Sequence, residues 1–257
     1  MNPAEFDNIA RAERDFWWYR GMREILFRVL DGIELAGASA LEAGCGTGYL
    51  SKSLEERYGW RMTPLDLGRE GLEYARGYGL SRQGFSRLVQ GDVTALPFTD
   101  ETFDALVSME VIVHLPRGEE GRALSEFARV LKPGGLLVLR VSALDTLRSR
   151  HSEFVQERQR FTRARLRQAV ELAGFEVQRE TYLNALLLPV ALFKFRVWEP
   201  LTRAPAASGV AAMPGWLDRL LYLPLRAEAA WIGHGGGFPV GQSLLVLGRK
   251  RGSKPGN

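Results

Sequence analysis

Glycine occupies every second position after an acidic residue in the segment Leu41 to Leu50, which reads LEAGCGTGYL. Glycine has no Cβ, so it lets the backbone turn sharply and come close to a ligand. A strand that ends in glycines and leads straight into a helix brings backbone N–H groups and a helix N-terminus to one point. The segment predicts a strand-to-helix turn at which a polar or charged ligand binds. A tight turn with a purely structural role would show the same glycines.

Two common nucleotide-binding motifs do not fit this turn. The dinucleotide fingerprint needs a third glycine three positions after the second, where this chain has the bulky Tyr49. A phosphate-binding P-loop needs Gly-Lys-Ser/Thr, and the chain reads Gly48-Tyr49-Leu50 instead. NAD binding and ATP hydrolysis are therefore disfavoured.

The remaining pattern, E-x-G-x-G-x-G, resembles the first motif of the class I S-adenosylmethionine (SAM) dependent methyltransferases. The resemblance implies that SAM is the cofactor and that its methionine end is held by Glu42, Gly44, Gly46 and Gly48. This assignment is physically reasonable, because the amino group and sulfonium of SAM are cationic and a nearby carboxylate attracts them.

Three further segments follow in the order that this family shows. Asp66 ends the predicted second strand about twenty residues on, as expected for a carboxylate that accepts both ribose hydroxyls, with Leu67 beside it. The segment QGDVTALPF implies that Asp92 accepts the adenine amino group and that Val93 packs on the ring. LKPGGLLVL resembles the family's turn before strand five. The resemblance is densest between residues 36 and 144.

The end of the predicted fourth strand, SMEVIVHLP, resembles the ubiquinone-pathway O-methyltransferases and related small-molecule enzymes. It places Met109 and Glu110 near the methionine end of SAM. Some of those enzymes bind a divalent metal through a glutamate where this chain has Val113, so we expect no metal site. If the acceptor is a hydroxyl, a base must take its proton, and His114 is the first candidate. A histidine that only packs under the next loop would look the same.

Two other segments contribute candidates. His151, after strand five, is the second candidate base, and His234 lies in a glycine-rich loop. The N-terminal FWWYRGMREIL resembles a segment that closes over the cofactor in bacterial small-molecule methyltransferases, which implies roles for Trp18, Tyr19 and Arg23 in cofactor binding. Tyr19 and Arg23 are four residues apart and share a helix face. Core packing is the alternative for these aromatic residues.

Short apolar runs alternate with helical spacing from Ser39 to Val141, which is typical of a parallel sheet with crossover helices. We predict an α/β fold: a Rossmann-like, seven-stranded, mostly parallel sheet with helices on both faces, an N-terminal helix, and a cap inserted before the last strand. The predicted strands cover residues 38–44, 61–66, 86–92, 103–110, 136–143, 175–183 and 243–250. The predicted regions are an N-terminal helical cap (1–35), a SAM-binding core (36–183), a cap insertion (184–241), and the last strand with the tail (242–257).

The predicted cap contains the most apolar part of the chain, LNALLLPVALF from Leu183, which is too short to cross a bilayer. We expect the cap to line an apolar or aromatic acceptor pocket with Leu186, Leu187, Phe193, Phe195 and Trp198. The alternative is a helix that lies on a membrane surface, since Lys194, Arg196 and Arg203 flank the apolar residues.

Bulk composition limits the function further. The chain has 257 residues, 46% of them hydrophobic and 25% charged, which is ordinary for a globular protein. Its net charge of +4 is spread over the chain, so nucleic-acid binding is not expected. Cys45 is the only cysteine, which excludes an intrachain disulfide. We recognise no export signal at the N-terminus and expect a cytoplasmic protein.

Together these features predict methyl transfer from SAM to a small, largely apolar or aromatic metabolite, with oxygen slightly favoured over nitrogen or carbon as the acceptor atom. One alternative is an isoprenoid, quinone or lipid acceptor met at the membrane surface, with peripheral membrane contact. A second alternative is a SAM-binding protein without turnover.

Overall fold

A computed structural model describes residues 4–77, 88–202, 208–210 and 213–252. Seven strands form one sheet in the order β3-β2-β1-β4-β5-β7-β6. Neighbouring strands are parallel except for β7, which runs antiparallel to β5 and β6. This sheet confirms the predicted fold class. The strands are β1 (Ser39–Ala43), β2 (Arg61–Asp66), β3 (Val89–Gln90), β4 (Phe103–Met109), β5 (Leu131–Ser142), β6 (Phe175–Leu183) and β7 (Ser243–Lys250).

Helices precede, connect and follow the strands. Within the described ranges, no helix has the length and apolar character that crossing a membrane requires. The helices are α1 (Ala4–Ala12), α2 (Trp17–Leu30), α3 (Tyr49–Tyr58), α4 (Arg69–Gly77), α5 (Glu120–Val130), α6 (Arg150–Phe154), α7 (Arg163–Leu172), α8 (Leu188–Phe193), α9 (Glu199–Thr202) and α10 (Gly215–Gly233). Short 3₁₀ turns cover Ile112–His114 and Asp145–Leu147, and a π-helical turn covers Lys194–Trp198.

The central strands are buried on both faces, so alternate residues enter two separate cores. Leu41 and Leu106 belong to one core, which α5 and α7 cover. Ala40 and Val107 belong to the other, which α2 and α10 cover. Both of these last helices come from regions that the sequence analysis set apart as caps. A Cβ on Gly21 of α2 would come within 2.3 Å of the Leu225 side chain of α10, so the two helices pack closely.

Two details differ from the predicted strands. The KPGG segment is not a turn before β5 but an irregularity within it, since Phe103 pairs with Leu131 while Ala105 pairs with Leu136. Gly134 there has a φ of +75°, which glycine adopts without strain. The short β3 begins at Val89. The first residues of its predicted range and Arg203 lie outside the described residues.

Pro64 lies within β2, opposite Glu42 of β1. In a parallel strand, alternate residues direct their backbone groups to opposite neighbours. The carbonyl of Leu65 faces β1 and accepts hydrogen bonds from the residues after that strand. The carbonyl of Asp66 faces β3 and accepts a hydrogen bond from Gly91, which follows β3. Pro64 therefore faces the side of β3, whose pairing starts only at Leu65. Pro64 thus removes no donor from the ladders between the described strands.

Candidate cofactor and active site

The middle of the sheet contains a topological switch point. β1 and β4 are adjacent, with β2 and β3 on one side and β5, β7 and β6 on the other. The connections after β1 and after β4 therefore run to opposite edges of the sheet and leave a crevice beyond the carboxyl ends of these strands. Ligands of open α/β sheets bind at such a crevice.

The glycine turn after β1 forms the floor of this crevice. Gly44, Gly46 and Gly48 have φ angles of +85°, +53° and +77°, a region that residues with a Cβ rarely adopt. At Gly44 a Cβ would also come within 2.2 Å of the Val111 side chain, which follows β4. The turn is therefore specified twice, by backbone conformation and by the close approach of the two strand ends.

Asp66 joins the ends of β1 and β2. Its carboxylate accepts hydrogen bonds from the backbone N–H of Gly46 and from that of Gly68, both at 2.8 Å. Burial raises the pKa of Asp66, and these two hydrogen bonds oppose that shift. Each oxygen of an ionised carboxylate accepts more than one hydrogen bond, so Asp66 retains capacity for two hydroxyl donors of a ligand.

Glu42 is buried at the end of β1 and accepts a hydrogen bond from the Ser51 hydroxyl of α3. Burial raises the pKa of Glu42 to about 8, and the nearby Asp66 and Glu13 carboxylates contribute in the same direction. Glu13, which follows α1, is also buried and accepts from the Thr47 hydroxyl within the glycine turn. Three acidic side chains thus surround one turn.

These residues fit SAM by the chemistry of their groups. No lysine or arginine in the described part of the chain forms an ion pair with Glu42 or Asp66. Buried carboxylates without a cationic partner are costly, and a bound cation relieves that cost. The glycine turn offers backbone groups without side chains in front of them. SAM carries a cationic ammonium group and a cationic sulfonium together with a ribose, which matches both features.

The predicted adenine side of the site is open to solvent. Leu67 and Asp92 are exposed, and Val93 is buried in the core beneath them. Asp92 Oδ1 accepts from the backbone N–H and from the hydroxyl of Thr94, both at 2.8 Å, which fixes the carboxylate at the start of its loop. The second oxygen keeps acceptor capacity for an amino group.

The short helix α1 covers the glycine turn. The ring of Phe6 lies against Gly46, Gly68 and Gly71. A Cβ added to these glycines would lie 3.8, 3.4 and 2.8 Å, respectively, from the nearest ring atom of Phe6. Phe6 itself is buried. The structure therefore shows a covered crevice, and a ligand that approaches these glycines from the side of α1 has to displace the Phe6 ring.

Tyr19 and Arg23 lie on one face of α2, yet they have different surroundings. Burial raises the pKa of the Tyr19 phenol, with Glu5 and Glu13 adding to the shift, so this side chain lies near the acidic groups of the crevice. The Arg23 guanidinium instead donates to the backbone carbonyls of Glu13 and Arg14 and lies 4.8 Å from the centre of the Tyr49 ring. In this structure Arg23 holds the connection between α1 and α2.

Trp18 and Glu110 meet at Arg140 of β5. The Arg140 guanidinium lies 5.1 Å from the centre of the Trp18 ring and 3.1 Å from Glu110 Oε1. The Ser142 hydroxyl donates to Glu110 Oε2 at 2.8 Å. Glu110 has a φ of +58°, unusual for a residue with a side chain. Its carboxylate is therefore directed to β5, while Met109 before it packs on the core beneath α2 and α10.

His114 ends the 3₁₀ turn that follows β4, three residues after Val111. Its Nδ1 lies 3.3 Å from the backbone carbonyl oxygen of Gln156, so Nδ1 carries the proton and donates it to this hydrogen bond. This assignment leaves Nε2 as a proton acceptor. Burial lowers the pKa of His114, which favours the neutral ring. Val113 before it is buried in the core.

His151 of α6 has the opposite tautomer. Its Nδ1 accepts a hydrogen bond of 2.9 Å from the backbone N–H of Gly209, so the neutral ring carries its proton on Nε2. The Glu5 carboxylate of α1 is 4.0 Å from the same Nδ1. Burial lowers the pKa of His151, and Glu5 opposes that shift. His234 lies apart: it caps the end of α10, with Nδ1 2.7 Å from the Ala230 carbonyl oxygen.

Sequence reasoning missed several residues that the fold brings to the crevice. They come from α1 and the residue after it, which the sequence did not predict as a separate helix, from the glycine turn itself, and from the side of β5 that faces Glu110. Their types carry no motif, because isolated Glu, Phe, Arg and Ser residues occur throughout the chain. The amphipathic spacing of Phe6 and Ile9 was the one available signal for α1. The missed residues are Glu5, Phe6, Glu13, Thr47, Arg140 and Ser142.

Among the described residues, no group of three histidine, cysteine, aspartate or glutamate side chains is arranged to hold a metal ion.

Comparison with known proteins agrees with this geometry. Residues 41–139 match a family described as a methyltransferase domain. That range runs from β1 to β5 and includes the glycine turn, Asp66, Asp92 and His114.

Two curated relatives illustrate the range of similar enzymes. A ubiquinone biosynthesis O-methyltransferase of Xanthomonas oryzae pv. oryzae is 39% identical over 149 residues, which cover 54% of this chain and 61% of the relative. A sterol 24-C-methyltransferase of Gibberella zeae is 39% identical over 105 residues, 39% of this chain and 26% of the relative. The chain thus spans less than two thirds of either relative.

The fold is shared over a longer range than the sequence. A Haloferax volcanii protein, solved in complex with the Trm112 methyltransferase activator, superposes with a TM-score of 0.62 at 20% identity, covering 99% of this chain and 96% of the other. At this identity the likeness shows the fold alone. The domain match and the curated relatives agree that residues 41–139 contain a methyltransferase domain, and the chain is similar to class I SAM-dependent methyltransferases.

Proposed function

We propose that this protein transfers the methyl group of SAM to a hydroxyl oxygen of a small, largely apolar or aromatic metabolite. The observation that carries the cofactor half of the proposal is the pair of carboxylates at the glycine turn, the buried Glu42 and the half-buried Asp66. Glu42 and Asp66 have no basic partner in the described part of the chain, and both have raised pKa values. A cationic ligand at this turn stabilises their charged forms.

In the family, the end of β1 holds the methionine part of SAM and the end of β2 holds the ribose. We assign Glu42 and the glycine turn to the first task, Asp66 to the second, and Asp92 with Leu67 to the adenine. The hydrogen bonds from Gly46 and Gly68 support the assignment of Asp66, because they fix its carboxylate before a ligand arrives.

His114 supports oxygen as the acceptor atom. When bound, SAM supplies an activated methyl group, so the chain has to align the acceptor, exclude water and remove a proton. The His114 ring is held with Nδ1 toward Gln156 and Nε2 available, and its lowered pKa keeps it neutral near pH 7. Nε2 can therefore take the proton of an acceptor hydroxyl as the C–O bond forms. His151 presents an N–H at the corresponding nitrogen and is the weaker candidate.

The acceptor class follows from the aromatic and apolar side chains beside the crevice. Trp18 and Tyr19 form an edge-to-face pair with ring centres 5.0 Å apart. Leu187, at the start of the cap region, is buried, while Leu186, Phe193 and Trp198 are exposed. We therefore place the acceptor near Trp18, Tyr19 and Leu187 rather than against the whole cap.

Binding and turnover test the two halves separately. Isothermal titration should show SAM binding to the unmodified protein, and absence of binding at millimolar SAM would refute the assignment of the cofactor. Transfer of a labelled methyl group should then occur to phenols or other hydroxyl acceptors in a panel that also contains amines and carbon nucleophiles. Tight SAM binding without transfer to any acceptor would favour a SAM-binding protein without turnover.

The two histidines offer a matched pair for the base. His114→Gln should lower kcat for a hydroxyl acceptor by about 10²-fold or more and remove the acidic limb of its pH profile, with an unchanged Kd for SAM. His151→Gln should leave that limb in place. The reverse result would assign the base to His151.

A further inference from the structure

The segment from Leu188 to Thr202 is one continuous helical run, made of α8, the π-helical turn Lys194–Trp198 and α9. We call it the cap helix. It is attached at both ends: Ala191 is buried near its beginning. Near its end the Glu199 carboxylate accepts from the backbone N–H of Arg150 at 3.0 Å, and the Arg150 guanidinium donates to Thr202 Oγ1 at 3.1 Å.

The cap helix shows an apolar stripe to the solvent, which we call the outer stripe. Its members recur at spacings of three or four residues, the spacing that places side chains on one side of a helix. They are Val190, Phe193, Val197 and Leu201, which are 55%, 60%, 42% and 76% exposed. Trp198 beside them is 57% exposed.

Such an exposed stripe is unfavourable in water, because each Å² of apolar surface left in contact with water costs about 25 cal/mol. Short isolated helices are also only marginally stable, so a helix with these exposed apolar side chains gains little from packing along its outer stripe. A contiguous apolar patch of this kind marks an interaction surface. The outer stripe therefore indicates that another apolar phase or surface covers this helix.

The charges next to the outer stripe select the partner. Lys194 and Arg196 are exposed on the cap helix. Glu199 is its single acidic residue, and the carboxylate is already bonded to Arg150. Apart from Thr202, the exposed side chains of the cap helix are thus apolar or cationic. This combination is typical of helices that lie at the surface of a membrane with anionic lipids.

A second copy of the chain fits this surface less well. In a two-fold symmetric contact the same patch meets itself. Lys194 and Arg196 flank the outer stripe about halfway along its length, so the symmetric contact brings them close to their own counterparts. Like charges in a buried contact are unfavourable, whereas anionic headgroups are complementary to them.

We propose that the cap helix docks on the surface of a bilayer that contains anionic lipids, with the outer stripe inserted among the acyl chains and Lys194 and Arg196 at the headgroups. The docked surface lies on the acceptor side of the candidate site. β6 is parallel to β5, so it ends at the same edge of the sheet as β1 and β4, and the cap helix begins five residues after Leu183. Arg150, which holds Glu199, precedes His151.

One consequence rests on the proposed function: an amphiphilic acceptor can enter the site from the bilayer. Docking itself requires neither SAM nor turnover, so its test is independent of the proposed function. The test is sedimentation of the full chain with phosphatidylcholine vesicles, with and without phosphatidylglycerol. We expect the unmodified chain to sediment with the anionic vesicles and to be released by salt.

Two double variants identify the surface, and both change exposed residues. Phe193→Ser with Leu201→Ser, and Lys194→Glu with Arg196→Glu, should each lower the partition coefficient on anionic vesicles by about tenfold or more. Leu172→Ser on α7 is the apolar control, since Leu172 is 80% exposed and outside the cap helix. Arg76→Glu with Arg122→Glu is the matched charge control, on α4 and α5. Circular dichroism establishes that each variant is folded.

Three outcomes would overturn the proposal: no sedimentation of the unmodified chain with anionic vesicles, equal sedimentation of all folded variants, or equal loss in the control variants. Analytical ultracentrifugation without vesicles tests whether a second copy of the chain covers the outer stripe. A dimer that Phe193→Ser with Leu201→Ser dissociates, with no vesicle binding, would assign the outer stripe to a second copy instead.

Discussion

The crevice at the ends of β1 and β2 and the cap helix depart from the usual distribution of residues in opposite ways. The crevice buries the acidic side chain of Glu42, whereas the cap helix exposes Phe193, Trp198 and Leu201. Both arrangements cost free energy in the isolated chain. A cationic ligand relieves the first cost and an apolar surface relieves the second. The comparison teaches that the two regions are adapted to different partners, one a small molecule and one an extended surface.

The two regions also differ in how firmly the fold holds them. The glycine turn is fixed by three positive φ angles, by the close approach of Val111 and by the hydrogen bond from Gly46 to Asp66. The cap helix is held mainly at its ends. Substitutions in the crevice should therefore have large effects on stability or on cofactor affinity, and substitutions on the outer stripe should have small effects on stability.

The largest expected effect is that of Gly44→Ala. The backbone at Gly44 is left-handed, which disfavours any residue with a Cβ, and the new Cβ would lie 2.2 Å from the Val111 side chain. We therefore expect a loss of about 2 to 5 kcal/mol in the free energy of unfolding. Urea denaturation measures it. Gly37→Ala is the control, because Gly37 also has a positive φ but has no atom near its added Cβ. Equal losses in the two variants would show that the contact with Val111 does not matter.

The pH dependence of stability should identify the buried carboxyl at Glu42. Its pKa is about 8 in the folded protein and ordinary when unfolded, so between these values the folded chain alone binds the proton. The stabilisation of the folded state by this proton is complete below the pKa of Glu42 in the unfolded chain. It is lost as the pH rises through 8, at up to about 1.4 kcal/mol per pH unit. Denaturation of the SAM-free protein across this range, compared with Glu42→Gln, isolates the effect of Glu42 from those of other groups.

Binding of SAM should reverse this behaviour. A cation beside Glu42 lowers its pKa, so binding near pH 7 should release a proton. Calorimetry in buffers with different ionisation enthalpies measures that proton, and Glu42→Gln should abolish its release. An unchanged proton count in the variant would place the cation elsewhere.

Asp66→Ala should weaken SAM binding by about 1 to 3 kcal/mol, since it removes charged hydrogen bonds to the ribose hydroxyls. Titration calorimetry measures the change. Asp100→Ala is a suitable control, because Asp100 lies on an exposed loop and pairs only with Arg129 among the described residues. Unchanged affinity for SAM in Asp66→Ala would refute the assignment of the ribose site.

The smallest expected effect belongs to the outer stripe. Phe193→Ser is expected to change the free energy of unfolding by no more than about 0.5 kcal/mol, because the side chain is largely exposed. Thermal denaturation measures it, with Leu172→Ser as the control. A loss of 2 kcal/mol or more, about the value for a buried side chain, would mean that Phe193 packs on protein in solution.

The sequence predicted the positions of those site residues that follow directly after the end of a single strand. Glu42, the three glycines, Asp66 and Asp92 each follow directly from a short motif at the end of a strand, so their positions along the chain determine their place in the fold. The sheet itself followed from the alternation of apolar runs and helical spacing. Boundaries were less accurate where pairing partners decide them, as in the KPGG segment of β5.

Residues from distant parts of the chain could not be placed in this way. Phe6 covers the glycine turn only because α1 packs on α4, and the spacing of a nine-residue helix does not identify its partner. The tautomers of His114 and His151 depend on the backbone of Gln156 and Gly209, neither of which has a sequence signal for that role. The regions predicted as caps also contain α2 and α10, which fill one of the two cores.

The sequence by itself determined the sheet, the glycine turn and the carboxylates at the strand ends, because strand periodicity and the conformational freedom of glycine act over a few residues. Only the tertiary structure decided which side chains surround the crevice, which histidine has a free acceptor nitrogen and which face of the cap helix is exposed. Those outcomes depend on contacts between segments far apart in the chain, and local patterns do not encode which segments meet.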